Sequence, residues 1–89
     1  MEGKELLLEK AQHIQMIPIQ KSSNVAGIGY NQEEQLLKVI FRNKETYSTY
    51  LYESVEPEIY NSILKAPSIG KALSENVIRQ KEKYKFTKL

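Results

Sequence analysis

Leu36–Arg42 constrains this chain more than any other stretch. Read as a strand, it places Leu37, Val39 and Phe41 on one face and Leu36 and Ile40 on the other. Such a strand needs apolar cover on both sides, which puts it in the middle of a layered domain. Asn43–Lys44 marks a tight reversal, and the next run, Glu45–Tyr52, carries Tyr47, Tyr50 and Tyr52. Tyr50 and Tyr52 share one face of that strand, while Tyr47 and Leu51 share the other. Upstream, Val25–Tyr30 reads as a first strand with Gly27 and Gly29 on the same face. Two bare positions on one face predict that another element passes close against it. Short strands joined by brief polar turns predict an antiparallel meander of three to four strands.

Helices flank this sheet in the sequence. Glu2–Ile14 is amphipathic, with Leu7, Ala11 and Ile14 at i, i+4 and i+7, and Ile17–Pro18–Ile19 ends it. Pro57 opens a second helix, in which Ile59 pairs with Ile63 and Tyr60 with Leu64. Pro67 stops that helix, and Ser68 is the expected N-cap of a third, in which Ile69, Leu73 and Val77 recur every four residues. The tail Lys81–Leu89 reads as an added strand or as an arm packed by Tyr84 and Phe86. The expected architecture is α+β: a three- to four-stranded antiparallel meander, two C-terminal helices on one face, and an extra N-terminal helix. That first helix, from the same chain or from a partner, is the candidate cover for the second face. Residues 1–15 form the helical extension and 16–89 the domain proper.

Composition excludes most chemistry. Among 89 residues there is no cysteine and no aspartate, and His13 is the single histidine. Disulfides, thiolate metal sites and cysteine nucleophiles are removed together, as is any site needing two imidazoles. No pair of titratable groups is placed to divide acid and base roles, so no catalysis, cofactor or metal is expected. The Leu6–Leu8 run is too short and too acidic in its flanks for a signal peptide, and a cytoplasmic protein is the expectation. Charge is unevenly spread. Lys71–Leu89 holds six basic and two acidic residues, net +4, whereas the rest of the chain is net −2.

Several pieces taken together resemble the KTSC domain, a small family named for the C-terminus of some lysyl-tRNA synthetases and found alone in bacterial and phage proteins. They are Ser22–Ser23–Asn24–Val25, Gly29–Tyr30, Leu37-x-Val39-x-Phe41 and the central Tyr50–Leu51–Tyr52. Val55, Glu58–Ile59–Tyr60, Ala66–Pro67–Ser68-x-Gly70 and Asn76-x-Ile78–Arg79 follow, before a basic aromatic tail. No single piece is specific; their order and spacing are. The chain departs from the pattern in lacking a hairpin glycine near Asn43–Lys44 and in a longer path from Phe41 to the tyrosine pair, which lets Tyr47 compete as a motif tyrosine. The family's Val-Pro pair also reads Val55–Glu56 here, with Pro57 one place later. The resemblance implies a fold, and RNA binding as the activity proposed for the family.

Two uses of the tyrosine pair are open at this stage. The rings line the sheet–helix interface with hydroxyls at its rim, or they form a platform on which bases stack. In the second reading Tyr50 and Tyr52 supply stacking with Tyr84, and Lys38, Arg42, Lys71, Arg79, Lys81, Lys83 and Lys85 supply charge for phosphates. Ser68, Gly70 and Lys71 form a rudimentary anion site, and Ser22, Ser23 and Asn24 a turn with room for a phosphate or partner contact. A rival class is a protein–protein or small-ligand-sequestering module of a phage or mobile element. There, Leu7, Ala11 and Ile14 would form a homodimer or partner seam.

Overall fold

β3 (Leu36–Asn43) is the middle strand of five. The computed structural model describes residues 2–20, 22, 24–80 and 82–89. The order across the sheet is β1 (Met16–Pro18), β2 (Val25–Asn31), β3, β4 (Thr46–Tyr52) and β5 (Phe86–Lys88), each antiparallel to its neighbour. The meander is thus one or two strands wider than expected. β5 is the tail in its strand form. β1 is the unforeseen strand: three residues ending at Pro18, tolerated because an edge strand can spare a donor.

Two-residue economy at the β3–β4 turn puts Lys44 at φ 58°. A lysine there accepts a left-handed backbone that glycine adopts freely. The turn is tied by the Thr46 hydroxyl donating to the Asn43 carbonyl at 2.8 Å. It fixes the register, setting Val39 opposite Tyr50, Leu37 opposite Tyr52 and Arg42 opposite Tyr47. Tyr50 and Tyr52 are therefore the pair on the face of Leu37 and Val39. Tyr47 lies on the reverse face, 63% exposed.

Each face has its own cover. On one, α2 (Pro57–Lys65), α3 (Ile69–Leu73) and the turn that follows it bring Ile63, Leu73 and Val77 onto Val25, Ile28, Leu37, Val39 and Tyr52. On the other, α1 (Glu2–Gln12) brings Ala11 and the following Ile14 onto Leu36 and Leu51, with Leu7, Met16 and Leu89 at the margin. The bare positions of β2 belong to this second face. A Cβ on Gly29 would lie 2.7 Å from the Gln15 carbonyl oxygen and 2.8 Å from Ile14 Cγ2, so the α1–β1 link crosses at glycine.

α3 does not end as an α-helix. It widens into a π-helical turn, Ser74–Ile78, closed by the Arg79 N–H bonded to the Ser74 carbonyl at 3.0 Å. The Asn76 side chain donates to the Ala72 carbonyl at 2.8 Å. Such turns re-aim the residues that follow them, and here those are Ile78 and Arg79.

Candidate functional site

Where α3 runs out, the β4–β5 flank of the sheet is left partly uncovered. Phe86, paired with Tyr52 across the β4–β5 ladder, is 48% exposed. Its ring centre lies 5.9 Å from that of Tyr50 and 6.1 Å from that of Tyr52. Phe41 meets Tyr50 edge-on, at 5.6 Å and 79°. With Ile78 these four rings line an open apolar cleft of about 330 Å³. Tyr50 is half-buried, while Tyr52 is only 5% exposed and belongs to the core. Burial, with Tyr50 adding to it, pushes the Tyr52 hydroxyl up to about 12.

A second cleft begins one residue further along the chain. Ser22, Asn24, Ser68, Gly70, Lys71, Ser74, Glu75 and Arg79 line about 470 Å³ of it. Ile78 in the aromatic cleft and Arg79 in this one are successive residues. Across the sheet, Phe41 pairs with Val25, whose neighbour Asn24 accepts the Arg42 N–H on its carbonyl at 2.8 Å. The polar floor is fixed from within: the Ser22 hydroxyl donates to Asn24 Oδ1 at 2.9 Å and accepts the Val25 N–H at 3.1 Å. Gly70 has to be small, since a Cβ there would sit 2.6 Å from Asn24 Oδ1. Ser68 caps α3, accepting the Lys71 N–H at 3.3 Å. Lys71 and Arg79 are exposed, and neither is in an ion pair among the described residues.

The structure thus gathers Tyr50, Tyr52, Lys71 and Arg79 with Ser22, Asn24, Ser68 and Gly70. Other candidates do not join them. Lys38 and Arg42 lie on the α1 face, and Lys38 Nζ donates to the Ala11 carbonyl at 3.1 Å as a C-terminal helix cap. Tyr84 is 1% exposed: it plugs the core, and its hydroxyl donates to Glu56 Oε1 at 2.6 Å. Lys83 is paired with Glu56 Oε2 at 3.1 Å and sits 5.2 Å above the Tyr84 ring, so its charge is already balanced. Glu56 is held at about 2, chiefly by the Tyr84 hydroxyl, then by its own backbone N–H and by Lys83. Lys85 is exposed beside β5, its carbonyl accepting the Glu53 N–H at 2.9 Å. Ser23 and Lys81 lie outside the described residues. Leu7, Ala11 and Ile14 are spent on this chain's own sheet, which removes them as a partner seam.

Sequence reasoning missed Phe41 and Ile78 as cleft residues, while Phe86 was legible only as an aromatic among the tail lysines. The alternation of β3 already put Phe41 on the face of Val39, and that was the available signal. No group of three acidic or histidine side chains among the described residues is disposed to hold a metal ion. Nor is any described helix long and apolar enough to cross a membrane.

Comparison with known proteins agrees with this architecture. The KTSC domain pattern matches residues 21–84. The crystal structure of a KTSC domain protein from Yersinia pestis superposes with a TM-score of 0.70 at 28% identity, covering 85% of this chain and 97% of that one. An uncharacterised protein of Stutzerimonas stutzeri strain A1501 is 34% identical over 55 residues, which is 62% of this chain and 73% of that protein.

Proposed function

This chain belongs to the KTSC domain family, and on that footing we propose that it is a non-enzymatic, cytoplasmic module that binds single-stranded nucleic acid, RNA first. The observation that carries this reading is the adjacency of the two clefts. An apolar wall of aromatic rings ends at Ile78, and a hydroxyl-lined cleft begins at the next residue, Arg79, which like Lys71 is in no ion pair among the described residues. Single-stranded nucleic acid presents the matching pair, a flat π-face beside a charged phosphate. Tyr50 and Phe86 supply the reachable stacking surface, with Tyr52 as the buried support beneath them. Lys71 and Arg79 supply the charge, in place of Lys38, Arg42 and Lys83.

Fluorescence anisotropy of a labelled single-stranded RNA tests this directly. Phe86→Ala should weaken binding by about 1–3 kcal/mol, the worth of one base–aromatic stack. Lys71→Ala and Arg79→Ala should each flatten the salt dependence of log K by about 0.7, whatever the sequence. An affinity indifferent to all three substitutions, or no binding by the wild type at low salt, rejects the reading.

A further inference from the structure

Resting on the nucleic-acid reading above, we infer that the groove takes one dinucleotide step, with two bases in separate apolar clefts and a single phosphodiester between them. A third cleft, of about 410 Å³, has an apolar wall of Ile19, Leu64, Pro67 and Ile69. Ser22 and Ser68 line both this cleft and the polar one, so the two are neighbours that share a wall. Arg79 of the polar cleft directly follows Ile78 of the aromatic one. The order along the groove is apolar, cationic, apolar. That is the order of base, phosphate and base.

Charge in the middle cleft fixes how much anion it holds. Lys71 and Arg79 face Glu75 on the same lining, which leaves one net positive charge. A phosphodiester carries one negative charge, whereas a terminal phosphate monoester carries about −1.5 to −2 at neutral pH. One internal linkage therefore matches that net charge, whereas a free phosphate end would bring a second charge for which the lining holds no further cation. The hydroxyl floor adds no flexibility to lose, because Ser22 is already held between Asn24 and the Val25 N–H. Flat aromatic walls on one side favour a planar base over an aliphatic side chain, which selects nucleic acid over an acidic peptide with apolar flanks.

The test uses the full chain labelled with nitrogen-15, titrated with the dinucleotide ApA and followed by amide chemical shifts. ApA is expected to move Ile69, Arg79 and Phe86 together, so that both apolar clefts and the cationic centre report one event. Adenosine monophosphate is expected to perturb one side only. ApA carrying a neutral methylphosphonate linkage should bind about 10-fold more weakly or worse, the loss of a charge-assisted contact. Lys71→Ala with Arg79→Ala should reduce ApA to the level of the neutral analogue; both side chains are exposed, so the fold is retained. Shifts confined to one apolar cleft, equal binding of the neutral analogue, or tighter binding of an acetylated Leu-Glu-Leu peptide would each overturn the assignment. A single-stranded RNA octamer run alongside separates the two levels. If the octamer binds while ApA fails these criteria, only the dinucleotide step is lost; if the octamer does not bind, the nucleic-acid reading falls with it.

Discussion

The two faces of this sheet are built from the same alternating strands and end in opposite conditions. The α1 face is closed by small contacts. Ala11 and Ile14 settle on Leu36 and Leu51, Gly29 lets the α1–β1 link cross, and Lys38 spends its ammonium on a helix carbonyl. The α2–α3 face buries the larger core and still leaves its β4–β5 flank half open, with Phe86 and Tyr50 reachable from solvent. The π-helical turn marks the boundary between covered and uncovered sheet. Cover on one face frees the other to keep an exposed aromatic wall, since a strand apolar on both sides cannot leave both bare in water.

Breaking the closed face should have the largest effect. Gly29→Ala drives a Cβ into a backbone carbonyl and the Ile14 methyl, so it should destabilise the fold by about 1–3 kcal/mol, read by urea denaturation. Unchanged stability would mean that α1 is not held where Gly29 admits it. A smaller effect belongs to the latch that ties the tail to α2. The Glu56 carboxylate is held at about 2 against an ordinary 4.5. Because its folded value is the lower one, its stabilisation is complete above 4.5 and is lost as pH falls towards 2. Thermal midpoints should therefore drop across that acid window in the wild type and drop less in Glu56→Gln. Identical acid profiles would detach Tyr84 and Lys83 from any role in holding the tail. Smallest of all, Lys44→Gly should raise stability by roughly 0.5 kcal/mol, relief of left-handed strain less the entropy glycine loses. It should leave nucleic-acid binding untouched, since no residue of the turn lines either cleft.

Much of this was legible in the sequence, and the remainder was hidden for identifiable reasons. The double-sided β3, the tyrosine pair and the Pro57 and Ser68 helix starts all follow from short-range rules of alternation and capping. The cover provided by α1 follows from Leu36 and Ile40 having nowhere else to go. β1 was hidden because three residues ending in proline carry no periodicity. Tyr84 was misassigned because a ring between lysines looks exposed, and only the path of the tail shows it turning inward to Glu56. Lys38 and Arg42, expected to supply charge from the strand next to the tyrosines, are set by strand parity on the face of Leu36 instead. The polar cleft joins Ser22 and Asn24 to residues of 68–71 and 74–79, and no local rule brings those segments together.

The contrast between the faces is tested most directly by ring-proton chemical shifts on adding a single-stranded RNA octamer. Tyr50 and Phe86 line the open flank, while Tyr47 stands exposed on the reverse face and serves as an internal control. The ring resonances of Tyr50 and Phe86 should move on titration while those of Tyr47 stay fixed. Movement of Tyr47 with Tyr50 and Phe86 unmoved would place the ligand on the α1 face and contradict the assignment of the open flank.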